Sequence, residues 1–282
     1  MPHSLHRHSI LLSAILALAA CGTSSGGPGE SDDQPSIDHP RTLLGVKDTS
    51  LASQGSALSP AAAAGVSSSA LSIWPFGAAV NRDGVAYLTL HGDIDAIVRW
   101  DFEARTFKDG VTFTGNEPTN VSFSPDGKTA YVASQLSQRV DIVNVANDSI
   151  IGSAATPDND PYQTTASPDG TRFYASGNGD RIWVFDAVTR AVVDTIPVDA
   201  DPNGMVITRD GKWMFITHLS SGNIGRITLA TGVYDTLATV GATPVHGLDV
   251  SPDGTRLYLV SQGTDSLYAF NTTTGANEGQ VY

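Results

Sequence analysis

The chain has 282 residues, with 16 Lys and Arg against 29 Asp and Glu and a formal net charge of -13. Binding to a nucleic acid rests on cations that displace its counterions, and a chain this acidic with no basic stripe excludes that partner class. Cys21 is the single cysteine, so no disulfide forms within the chain.

Residues 1–20 read as an export signal. Arg7 and three histidines precede the apolar run from Ile10 to Ala20, which is too short to anchor in a bilayer as a helix. The run ends in Leu18-Ala19-Ala20-Cys21 followed by Gly22, which resembles the lipobox of bacterial lipoproteins. That resemblance implies an exported protein with lipid on Cys21, held in the cell envelope. Gly22 after the cysteine, in place of Asp, implies the outer membrane where the cell has two. The plainer alternative is an ordinary cleavage site that happens to contain a cysteine.

From residue 21 to about residue 72 the composition turns to Ser, Gly, Ala, Pro and Asp, with one short apolar patch at Thr42–Val46. Such a segment has too little apolar area to offset the entropy of ordering it, so it reads as a flexible tether.

Residues 73–282 repeat. An Asp-Gly pair recurs at Asp83-Gly84, Asp126-Gly127, Asp169-Gly170, Asp210-Gly211 and Asp253-Gly254, in steps of 43, 43, 41 and 43 residues. Pro75, Pro118, Pro161, Pro202 and Pro244 precede them at nearly constant distance. Each copy holds four runs rich in Val, Ile, Tyr, Phe and Thr, shown in the third by 163–166, 172–175, 181–187 and 191–198. Four strands in about 43 residues make a propeller blade, so the expected fold is an all-β propeller of about five four-stranded blades. In the Ser-Pro-Asp-Gly tetrads, Pro presets its φ, Asp bonds back to the backbone and Gly takes a positive φ.

Ser-Pro-Asp-Gly-Lys-Thr-Ala-Tyr-Val at 124–132, with Val140-Asp141-Ile142-Val143-Asn144, resembles the YVTN-type propeller repeat, and the third copy carries the same character. The Trp-Asp signature of WD repeats occurs once, at Trp100-Asp101. Proteins of the YVTN type usually close with about seven blades. Five copies therefore imply a small ring, an open arc or a shortened chain, and an open arc exposes an apolar blade face.

Residues that recur in every copy are explained by the blade, which leaves those that break the pattern as site candidates. Strand alternation puts the links between blades and the second-to-third-strand loops on one face of the disc. The links supply Glu117, Asn120, Asp160, Tyr162, Asp201, Asn203 and His246 as a ligand-binding face. The loops add His91, Asp93, Asp95, Asn178, Asp180, His218 and Gln262.

His91, His218 and His246 with neighbouring carboxylates could ligate a transition metal, although their spacing matches no known motif and surface imidazoles are the plainer reading. Asp93-Ile94-Asp95, Asp158-Asn159-Asp160 and Asp199-Ala200-Asp201 could hold calcium, but none continues as an EF-hand loop, and solvated acidic loops explain them equally. Within the repeat region, residues 73–282, no Gly-x-Ser-x-Gly elbow or phosphate loop is present. The leading expectation is a tethered scaffold, without cofactor, that binds an envelope protein, glycan or small ligand. A lactonase-like hydrolase or metal-dependent enzyme, with Glu117, Asn120 and His246 at the channel mouth, is the alternative, and it rests on analogy of fold.

Overall fold

The computed structural model describes residues 73–281 except 109, 111, 158–159 and 242–244. Residues 1–20, expected to be an export signal, Cys21, the expected tether to residue 72, and Pro244 lie outside the described residues. The first blade comprises β1 (Ile73–Val80), β2 (Val85–Gly92), β3 (Ala96–Asp101) and a divided outer strand, β4 (Thr106–Phe107) and β5 (Thr112–Phe113). The second holds β6 (Pro118–Phe123), β7 (Thr129–Ser134), β8 (Arg139–Asn144) and β9 (Ser149–Ala155). The third holds β10 (Pro161–Ala166), β11 (Arg172–Gly177), β12 (Arg181–Asp186) and β13 (Val192–Pro197). The fourth holds β14 (Pro202–Ile207), β15 (Trp213–His218), β16 (Asn223–Thr228) and β17 (Val233–Thr239). The fifth holds β18 (Val245–Val250), β19 (Arg256–Ser261), β20 (Ser266–Asn271) and β21 (Asn277–Val281). Each is an antiparallel meander in chain order, and together they form a five-bladed β-propeller. No helix among the described residues is long and apolar enough to cross a membrane.

The turn tetrad works as its residue types require. Ser124 Oγ and the Lys128 amide both donate to Asp126 Oδ1, at 2.6 and 3.0 Å, and Gly127 takes φ +74°. Ser167 with Asp169, Thr208 with Asp210 and Ser251 with Asp253 repeat the hydroxyl-to-carboxylate bond. In the first blade Asn81 takes over, its Oδ1 accepting from the amides of Asp83 and Val85. The hydroxyl and amide donors hold Asp253 down to about 2 and lower Asp126, Asp169 and Asp210 in the same way.

The proline landmark needs one correction. Pro75, Pro118, Pro161 and Pro202 pair with Leu90, Ser134, Gly177 and His218 of the second strand, but in the fifth blade Val245 pairs with Ser261 and holds that rung. Each inner strand has a register break directly after this rung, the fifth included, so the irregularity belongs to the blade and not to proline.

The core lies between blades and not within them, because each sheet is apolar on both faces. Val85, Tyr87 and Ile97 of the first blade pack on Val121, Ala130, Val132 and Val143 of the second. Tyr131 stacks on Phe173 at 4.4 Å, across the next junction. Ile182, Val184 and Ile196 meet Met205, Met214 and Ile216, and Phe215 and Ile224 meet Leu257 and Leu259. A fully buried side chain of this kind contributes roughly 1.5–3 kcal/mol.

The rung after the register break shows how each junction closes at its inner edge. Asn120 Oδ1 accepts from the Thr164 amide and Gln163 Oε1 accepts from the Met205 amide, so two blades hold the next through a side-chain amide. In the first and fourth blades the same rung is glycine, pressed against the next blade: a Cβ on Gly204 would stand 2.5 Å from the His246 carbonyl oxygen, and one on Gly77 would overlap that of Thr119. There Thr89 and Thr217 hold the glycine amide at 2.8 and 2.9 Å.

Four successive junctions are therefore packed. Among the described residues, β1 and β2 form no comparable junction with β18 or β19. The five blades make an arc whose two ends do not pack on each other.

Candidate functional site

The blade meander brings the residue before each inner strand back to the end of the second strand. The Glu117, Asp160 and Asp201 carbonyls accept from the amides of Gln135, Asn178 and Leu219 at 2.9, 3.2 and 3.0 Å. Three carboxylates consequently stand at equivalent places in three consecutive blades. Glu117 and Asp201 adopt φ of +51° and +55°, a left-handed conformation uncommon for side chains of this kind. Asp95 Oδ1 fixes the first of them by accepting from the Glu117 amide at 3.0 Å.

Tyr162 sits half-buried among these acids. Burial raises its pKa, a hydrogen bond with Gln135 opposes this, and the charges of Asp160, Asp201 and Glu117 raise it further. Its phenol therefore stays neutral and keeps its proton for donation. Asp160 accepts from Gln138 Nε2 at 3.3 Å and from Asn178 Nδ2 at 3.0 Å. The result is an acceptor-rich rim around one aromatic ring. It suits a cationic group or the hydroxyls of a sugar, with the ring as a stacking surface.

The other sequence candidates have different surroundings. The Asn120 side chain is engaged in the blade junction, and Asn203 lends its backbone carbonyl to Ser176 Oγ at 2.5 Å. His246 lies at the face, with Nε2 3.4 Å from Gln262 Oε1, while its carbonyl accepts from Thr217 Oγ1. His91 packs edge-on against Phe76. Asp180 is exposed and paired with Arg181, and Asp93 is also exposed.

His218 is buried inside the fourth blade, beneath the Ala200–Asp201 link. Its Nδ1 lies 3.1 Å from the Ala200 carbonyl, so that nitrogen carries a proton, and its Nε2 is 3.2 Å from the Tyr234 hydroxyl. Tyr234 and Asn223 Nδ2 both donate to Asp199 Oδ2 at 2.8 Å. Burial lowers the His218 pKa and raises that of Tyr234, and the Asn223 bond leads the lowering of Asp199. Asp199 is thus spent inside the blade. The three histidines are not brought together, and no group of three His, Cys, Asp or Glu able to hold a metal ion forms among the described residues. Residues 158–159 of the second acidic loop lie outside the described residues.

Gln135 and Gln138 are the rim residues that sequence reasoning missed. The repeat filter passed over the Gln135–Ser137 3₁₀ turn because nothing in its spelling marks it. The one available signal was the extra polar length of Ser134–Arg139 between two apolar runs.

The fold and the polar rim define the class: a five-bladed β-propeller with a candidate binding face at the inner strand ends. No protein-family model matches the chain. It is 25% identical over 163 residues to antigen Lp49 of Leptospira interrogans, which covers 50% of this chain and 36% of that antigen. Among solved structures it is similar to hydrazine synthase of Kuenenia stuttgartiensis, with TM-score 0.62, 22% identity and coverage of 71% and 65% of the two chains. A functionally unknown protein of Desulfotomaculum acetoxidans gives TM-score 0.63 and 14% identity, over 74% of this chain and 71% of that one. The chain thus spans about a third of the antigen's length and just under two thirds of the hydrazine synthase chain. These likenesses extend to the fold.

Proposed function

We propose that this chain is a non-catalytic scaffold of the YVTN-type repeat class, tethered to the cell envelope through lipid on Cys21, and that the Tyr162 rim binds its ligand. The observation that carries the reading is Tyr162 set among Asp160, Asp201 and Glu117 on three consecutive blades. An acceptor-rich rim favours a cationic protein segment or a glycan. The lipobox-like end of the export signal and the low-complexity tether support the anchoring.

Envelope extract passed over the immobilised full chain, beside a Tyr162→Ala, Asp160→Asn double variant, tests the binding face. A partner retained by the first and lost at least about tenfold by the second supports it, given that tenfold is 1.4 kcal/mol. Equal retention by both would sink it. Release of a Cys21→Ser variant from the membrane fraction tests the tether separately; a variant that stays membrane-bound would rule out lipid on Cys21 as the anchor.

A further inference from the structure

The two ends of the arc carry the same positions that build the four internal junctions. Leu88 shares its rung with Val132, Ala175, Ile216 and Leu259, which are 0%, 0%, 0% and 1% exposed, whereas Leu88 is half-buried. Its cross-strand partner Val98 is half-buried too. On the outer part of the same face Trp100 meets Phe107 edge-on, and Phe113 is 48% exposed. The first blade therefore offers an apolar face of the kind that receives a preceding blade.

The fifth blade ends in the complementary face. Tyr258 shares its rung with Tyr87, Tyr131, Tyr174 and Phe215, all buried against the next blade, yet Tyr258 is only half-buried. Val260 beside it is also half-buried. Gly247 holds the rung of Gly77 and Gly204. Those two are jammed against a following blade, whereas a Cβ on Gly247 would meet only Val260 Cγ2, at 3.9 Å.

We infer that the free face of the fifth blade docks on the free face of the first blade of a second copy of this chain, in the geometry of the internal junctions. The occupant follows from continuity with those junctions. In them the outgoing aromatic meets the next blade's inner strands, as Tyr87 meets Phe123 at 5.0 Å and Tyr131 meets Phe173. By rung, Tyr258 of one copy would meet Val80 and Ala86 of the other, and Gly247 would sit against the Phe76 carbonyl. At the fourth junction Arg226 adds bonds to the Thr272 and Thr273 carbonyls, and Ala269 holds its place in the fifth blade, so the docking rests on the apolar rungs. The contact joins two different faces, so it is head-to-tail. It is independent of the Tyr162 rim.

Sedimentation of the full chain in detergent, compared with Gly247→Lys and Leu88→Glu variants, tests it. The unmodified chain should form dimers or larger species by about 100 µM, and each variant alone should weaken this at least about tenfold. Gly247 has open space beside it, so Gly247→Lys should keep the melting temperature of the monomer. Mixing the two variants should restore a 1:1 dimer, because each retains the face the other lacks. Three results would overturn the inference: an unmodified chain that stays monomeric, association blocked by Leu88→Glu but not by Gly247→Lys, and a mixture that fails to pair.

Discussion

The inner junctions and the two end faces are spelled by the same repeat, yet they differ in what covers them. Phe215 is 0% exposed because the fifth blade lies on it, whereas Tyr258 at the same rung is only half-buried. Val132 is sealed by the first blade, whereas Leu88 at its rung has no preceding blade. A blade is apolar on both faces regardless of its place in the arc, so burial is conferred by the neighbour and not by the blade itself.

The sharpest way to break that comparison is to truncate equivalent aromatics. Phe215→Ala removes a ring buried at an inner junction and should cost about 3–5 kcal/mol. Tyr258→Ala, measured by denaturant unfolding of the monomeric Leu88→Glu background, should cost less than about half of that, because its ring is already partly in water. Equal losses would show that the last face is covered after all.

Glycine gives the next contrast. Gly204→Ala forces a methyl against the His246 carbonyl and should destabilise by about 1–3 kcal/mol, since a packed junction relaxes only in part. Gly247→Ala at the same rung of the last blade should be within about 0.5 kcal/mol of neutral in the same background, as a substitution outside packed or strained sites is. Thermal melts of the pair read the difference directly.

The smallest effects are in the acid response, which separates a feature of one inner blade from a feature of all blades. His218 has a folded pKa below its unfolded value because it is buried. Its neutral form thus favours the fold, and stability should fall as pH drops below about 6.5. That step should vanish in a His218→Asn variant. The turn aspartates are depressed, so the stability they give is present above about 4 and lost as pH falls toward the folded value, about 2 for Asp253. Asp253→Asn should reduce this lower step, and an unchanged acid limb between pH 4 and 2 would show that the turn bonds add no stability.

Much of the fold was legible beforehand. The four strands read in the third copy match the observed ones to within about two residues, the usual uncertainty at strand ends. The Asp-Gly turns were legible because Ser, Asp and Gly act locally, through bonds two to five residues apart. Glu117, Asp160, Tyr162 and Asp201 were found together at the rim, because a link residue must lie at the inner strand ends. Asn120 was not separable from them. Its amide serves the blade junction, and no spelling distinguishes an Asn that faces ligand from one that faces the next blade.

By itself the sequence determined the blade: strand periodicity and turn chemistry are local, each written within about 43 residues, and the recurrence of that unit along the chain sets the number of blades. Tertiary structure alone decided which blade faces meet, that His218 turns inward to Tyr234, and that among the described residues the first and fifth blades form no junction like the other four. Those outcomes depend on the rise and rotation from blade to blade, summed over the arc. A repeat reads the same whether or not a neighbour stands beside it.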